Sequence, residues 1–405
     1  MEGVLHSAPG SLPAPSERVG SAIAASAAPS VRWAVAAIVF AGACITAGIL
    51  WDISWHATIG RDTFWTPAHM MIYLGGTLGG CLGGWLAFDA TFLRREAWRD
   101  RSVGILGGRA PLGAMVAIWG AVAMLTSAPF DDWWHNAYGL DVKILSPPHS
   151  LLAAGMYGVV VGAVLLAAAD RNRAAAAGSR GVPSWLVVTA LGIQLALASI
   201  LITEVSYPND QHTRLFYYAS AAMYPTFLLA AAQYSPLRWA ATRVALVYLL
   251  VTGMMVWLLP LFPAEPKLAP IYNPVTHLVP PPFPLLLVAP ALAIDLLFLA
   301  LRQRRGWGWS AVRLLGATTL FCAVFLLVQW KFSAFLISPA ADNAFFAGHG
   351  RFFGYMSRRD DWRGAFWHLD RSFTAASQVA WMWLIALGAA LLGSAAGVFL
   401  SRIRR

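Results

Sequence analysis

From residue 31 onward the chain is a succession of apolar runs about twenty residues long, separated by short polar junctions, and this feature removes most folds from consideration. A hydrocarbon core about 30 Å thick needs roughly 20 apolar residues per helix, and it holds no water to satisfy an open peptide group. Such runs can only be helices. On that ruler ten spans fall near 31–55, 67–92, 103–128, 148–169, 183–205, 214–234, 243–263, 284–301, 309–337 and 377–400. The expected fold is an all-α, polytopic transmembrane helix bundle whose main partner is the lipid bilayer. A hydrophobic fraction of 58%, a charged fraction of 12% and a mean hydropathy of +0.60 lie outside the soluble range.

The net charge of +10 does not point to nucleic acid, because the arginines cluster between apolar runs. RREAWRDR (94–101), Arg171/Arg173/Arg180, Arg238/Arg243, RQRR (302–305) and RIRR (402–405) all follow even-numbered spans. By the positive-inside rule both termini are expected in the cytoplasm, and the junctions after odd-numbered spans on the other side. In a bacterial-type inner membrane that side is periplasmic. Residues 1–30, rich in Ala, Ser and Pro, are expected to be a disordered cytoplasmic tail rather than a cleaved signal peptide. Residues 31–170 are expected to form a four-helix membrane unit, and 171–405 a six-helix region. In the latter, loop 339–376 alternates aromatics with arginines as an outward interfacial segment would.

The junction of spans 1 and 2 reads DISWHATIGRDTFWTPAH (52–69), and that of spans 3 and 4 reads DDWWHNAYGLDVKILSPPH (131–149). Aligned, they pair Asp52 with Asp131, Trp55 with Trp134, His56 with His135, Gly60 with Gly139, Asp62 with Asp141, Pro67 with Pro147 and His69 with His149. Asp and His at i and i+4 share one face of a helix end. A proline-marked start of the next helix returns the second His beside them. Each junction can thus gather one carboxylate and two imidazoles, a set that suits copper, iron(II) or zinc and leaves coordination positions open. A lone interfacial His is usually structural. A duplicated Asp/His/His set at the lipid boundary is costlier, because ionisable groups there are rare and usually functional. Asp62 and Asp141 are expected to cap the loops or support the imidazoles from behind. The cysteines, Cys44, Cys81 and Cys322, lie inside apolar runs without a CxxC spacing, so thiolate ligands are not expected.

The first junction resembles the C subunit of copper membrane monooxygenases, the particulate methane and ammonia monooxygenase family, in which a segment of the form DxTWHxTIxRDTxFTPSH occurs. Asp52, Ser54, Trp55, His56, Thr58, Ile59, Arg61, Asp62, Thr63, Thr66, Pro67 and His69 fit or nearly fit it. The family's second copper position uses Asn, a His four residues on and a His fourteen beyond that. Asp131, His135 and His149 reproduce this spacing with Asp in place of Asn. The resemblance implies one copper at Asp52/His56/His69 and another at Asp131/His135/His149, with Arg61, Asp62 and Asp141 in support. It further implies oxidation of a small, unreactive substrate, and it covers about residues 31–170. No haem, iron–sulfur or flavin motif is present, so electrons would come from partner subunits or a quinol.

Other candidates read as structural. Glu204, Asp210 and His212 share the predicted outer face, but a helix cap and interfacial hydrogen bonds account for them. His277, His349 and His368 lie in loops, Met70 and Met71 read as packing, and the glycines of 74–85 as close helix contact. The alternative to an oxygenase is a protein that binds, delivers or transports copper without catalysis. Transport is disfavoured because Gln194, Asp295, Gln329 and Lys331 are scattered along the later spans.

Overall fold

The structure, a computed structural model, describes residues 29–105, 107–139, 146–234, 237–347, 351–358, 366–368 and 371–405. The expected tail thus lies almost wholly outside the described residues. Ten long helices follow one another: α1 Pro29–Thr58, α2 Pro67–Phe88, α3 Leu112–Tyr138, α4 Pro147–Ala176, α5 Ser184–Ser199, α6 Arg214–Gln233, α7 Ala240–Leu258, α8 Val288–Ala300, α9 Trp307–Leu336 and α10 Ala376–Arg402. Among the described residues nine helices, all but α8, are long and apolar enough to cross a membrane. The chain is an all-α polytopic bundle.

Two boundaries differ from the hydropathy ruler. The third span was expected from residue 103, but Val103–Ile105 and Gly108–Ala110 pair as a small antiparallel hairpin and α3 begins at Leu112. Gly107, at φ +81°, makes the turn, and Pro111 fixes the entry to the helix. The eighth span was expected over 284–301, but its helix starts only at Val288. Pro280, Pro281, Pro282 and Pro284 hold the preceding segment extended and buried. Non-helical backbone at membrane depth is tolerated where protein covers it, and proline brings no N–H to satisfy. The Pro284 carbonyl accepts the Tyr248 hydroxyl at 3.1 Å.

α1 packs on α2 and α3 on α4, with α2 against α3 joining the pairs into one four-helix unit. The α3–α4 approach is so close that a Cβ at Gly120 would stand 2.6 Å from the Gly155 carbonyl oxygen. Only glycine permits this contact. In the later helices, the core is aromatic, with Tyr217, Tyr224, Tyr248, Phe321 and Phe325 fully buried.

Three of the polar residues scattered through these spans are taken up by helix contacts. From α8, Asp295 accepts the Thr242 N–H and hydroxyl, both at 2.7 Å, and the Ala241 N–H at 3.4 Å, which caps α7. Gln194 donates to Tyr157 at 3.2 Å and Gln329 to Gln211 at 2.5 Å, while Lys331 is exposed. In the loop 339–376, the described Phe352, Tyr355, Phe366 and Phe373 are buried against the protein.

Candidate metal centre

The described helix ends at the two junctions are alike because the same residue types close one helix and open the next at matching positions. At the first, Ile59 and Gly60 N–H groups return to the Trp55 carbonyl at 2.7 and 3.2 Å, and Gly60 takes φ +82°. At the second, Gly139 takes φ +86° and donates to the His135 carbonyl at 3.0 Å. A positive φ stops each helix just after its Asp/His pair, at a position glycine adopts without strain. The next helix then opens with Pro67 or Pro147 in its first turn. Thr66 and Ser146 precede these prolines as N-caps, which places His69 and His149 at the same third helical position. The Ser146 hydroxyl accepts the His149 N–H at 3.4 Å.

The side chains converge as the spacing required. His69 Nε2 lies 3.0 Å from Asp52 Oδ1, and His56 Nε2 lies 3.7 Å from Asp52 Oδ2. At the second corner, Asp131 stands between the imidazoles, with Oδ1 3.4 Å from His149 Nε2 and Oδ2 3.4 Å from His135 Nε2. In each triad one potential ligand atom from every residue lies within 4.8 Å of the other two. For metal–ligand bonds of about 2.0–2.1 Å, the 3.0 Å from His69 Nε2 to Asp52 Oδ1 and the 3.7 Å from His56 Nε2 to Asp52 Oδ2 correspond to angles of roughly 90–135° at a cation held by both carboxylate oxygens. That range accommodates tetrahedral or tetragonal coordination.

Two further observations fit a cation. Asp52 Oδ1 and Asp131 Oδ1 are buried and receive no aligned hydrogen bond, although an imidazole nitrogen is close to each. A bare carboxylate oxygen is costly to bury, and a metal at the meeting point of the donors would satisfy it. His69 Nδ1 lies 2.9 Å from the Thr63 carbonyl and His135 Nδ1 3.2 Å from the Gly139 carbonyl. A carbonyl only accepts, so in the neutral ring the hydrogen sits on Nδ1 and Nε2 presents its lone pair to the cluster. This backbone support is the usual arrangement behind a metal-binding imidazole.

Asp62 comes closer than the spacing indicated. Its Oδ2 is 3.5 Å from His56 Nε2 and 3.4 Å from His69 Nε2, so the loop adds a second carboxylate to the first corner. Asp141, its counterpart, lies outside the described residues. Arg61 is exposed and contributes through its backbone, whose carbonyl accepts the Trp55 indole N–H at 3.0 Å. Tyr73, one turn beyond His69, sets its ring 6.1 Å from the His69 ring. Trp65 and Tyr138 stand exposed beside the corners, as aromatic side chains do at a membrane–water interface.

Residues far along the chain hold the first corner. Tyr355 and Lys267 N–H groups donate to the Ala57 and Ile59 carbonyls at 3.0 and 2.9 Å, and the Val279 N–H donates to the Thr58 hydroxyl at 2.8 Å. They satisfy groups that the end of α1 would otherwise leave open. Leu259 and Leu278 pack with Ile59 against Trp51 and Trp55. Spacing within the junction carries no signal of these partners.

The remaining candidates form no third cluster among the described residues. His212 is 1% exposed and packs on Phe366 with ring centroids 4.0 Å apart. Burial, with a smaller contribution from the charge of His368, pushes its pKa down to about 4, so it is a neutral core imidazole. Burial likewise raises the Asp210 carboxyl, against the pull of Arg371. His277 is lowered by burial and by Arg351, and His349 lies outside the described residues. Compared with known proteins, the chain matches no family model, no curated protein and no solved structure.

Proposed function

We propose that the chain is an integral membrane protein that holds two metal ions, copper at each, at Asp52/His56/His69 and Asp131/His135/His149. The supporting observation is the convergence of both triads on positions a single cation could occupy. Copper is favoured by the resemblance of the junctions to the monooxygenase C subunit and by its place at the top of the divalent affinity order, ahead of iron and zinc. Asp62 makes the first corner richer in oxygen, which favours copper(II) over copper(I).

In this reading the protein is oxygenase-like, and copper bound in such open sets supplies dioxygen activation for attack on a small substrate. The chain's own residues fix the geometry: Thr63 and Gly139 carbonyls hold the rings, and the carboxylates balance charge. Electrons come from a quinol or a partner subunit. The corners face the periplasm of a bacterial-type inner membrane, with both termini cytoplasmic.

A copper-handling protein without catalysis is the second reading. The 48% exposure of the His56 side chain favours it, since an open ligand permits exchange. Oxygen uptake by the copper-loaded full chain with a soluble quinol divides the two. The oxygenase reading expects uptake above an equal amount of free copper, abolished in His56→Ala or His135→Ala. Uptake no greater than free copper, in protein shown to carry both metals, would leave the handling reading.

A further inference from the structure

We infer that the bundle carries, at the end opposite the metal corners, a site for the phosphate of an anionic phospholipid. A part-enclosed cleft there is lined by Arg101, Arg173, Arg404 and Arg405, which approach from the α2–α3 connection, the end of α4 and the end of α10. α4 begins beside His149 and runs 30 residues, or about 45 Å, so the cleft and the second corner lie at opposite faces of the same helices.

The cleft holds more positive charge than its own carboxylates answer. Asp170, 4% exposed, stands 3.5 Å from Arg101 Nε through Oδ1 and spends Oδ2 on the Val182 N–H at 2.8 Å. Asp100, outside the lining, also acts on Arg173. Among the side chains that line the cleft, four are guanidinium groups and one, Asp170, is a carboxylate. Among the described residues Arg404 and Arg405 form no ion pair.

The arginines are also held in place. Arg101 donates to the Ala97 carbonyl at 2.6 Å and Arg173 to the Asp100 carbonyl at 2.7 Å, contacts that orient a cation without neutralising it. Asn172, buried, donates to the Leu400 and Ile403 carbonyls at 2.6 and 2.8 Å, which fixes the helix end from which Arg404 and Arg405 project.

The rest of the lining is apolar and buried in the bundle, Val35 and Leu166 included, while Arg173, Arg404 and Arg405 stand at or just beyond the ends of helices long and apolar enough to cross a membrane. An anion bound here would meet guanidinium groups at the level where headgroups lie, with the hydrocarbon of the bilayer beside the helix ends. A phospholipid suits both, whereas a free phosphate suits only the first. Basic recesses between transmembrane helices recognise anionic headgroups on this principle.

The test uses the full-length chain in a neutral detergent. Thermal unfolding and native mass spectrometry are run with phosphatidylglycerol, with phosphatidylcholine and with inorganic phosphate at matched ionic strength. A rise in Tm and one retained lipid per chain are expected with phosphatidylglycerol alone. The double variant Arg404→Gln/Arg405→Gln, on exposed side chains, should weaken that retention roughly thirtyfold, the surface attraction of two charges. Its metal content should stay unchanged, and Arg404→Lys/Arg405→Lys should keep most of the retention. Equal retention of phosphatidylcholine, or unaltered retention in the double Gln variant, would overturn the inference. An equal shift from inorganic phosphate would reassign the cleft to a free anion and overturn it as well.

Discussion

Asp52 and Asp131 each keep one carboxylate oxygen buried with an imidazole Nε2 beside it, at 3.0 and 3.4 Å, and the chemistry of the corners turns on that pair of atoms. Asp52→Asn and Asp131→Asn keep the shape and remove the charge, so each should weaken metal binding at its own corner by about a hundredfold or more, judged by competition with a chelator. His212 yields a pH prediction. Its pKa is about 4 in the folded protein, below the ordinary imidazole value, so between the two the unfolded chain binds more protons. Stability is therefore lost as pH falls through about 6.5 toward 4, and His212→Gln should flatten that part of the Tm-against-pH curve. At this scale the three ligands of each corner were legible, because i, i+4 spacing and a third-position His follow from helix geometry alone. The approach of Asp62 to both imidazoles was not, because it depends on the path of residues 59–66 rather than on a periodicity.

Helix ends build the corners. Gly139→Ala would force a side chain into φ +86°, ψ −178° at the end of α3, a region essentially reserved for glycine, at a cost of about 1–3 kcal/mol, and should lower metal affinity at the second corner more than at the first. Thr58→Val removes the hydroxyl that accepts the Val279 N–H, leaving a buried donor unpaired. Chemical unfolding should show a loss of about 1–3 kcal/mol, with the first corner weakened and the second spared. The long helices were readable from length and hydropathy because lipid imposes both. The hairpin at 103–110 and the late start of α8 were missed for one physical reason: hydropathy averages over glycine and proline, whereas backbone conformation does not.

At the scale of the whole molecule, two helical hairpins repeat one ligand arrangement, and segments that connect the later helices close over the first of them. Lys267, Val279 and Tyr355 bind the end of α1 from positions at least two hundred residues along the chain, so the first corner depends on the six-helix region. Sequence could show that region as apolar spans, but not that it returns to the site, because contacts between distant segments leave no local pattern. Binding to the folded state alone stabilises by mass action, so a chelator should lower Tm and copper should restore it. The most direct measurement is metal content of the purified full chain, dialysed against excess copper(II) and then against buffer, beside His56→Ala, His135→Ala and the double variant. Two coppers per chain in the wild type, one in each single variant and none in the double variant are predicted. A wild type that retains no copper, or a double variant that retains both, would contradict the account.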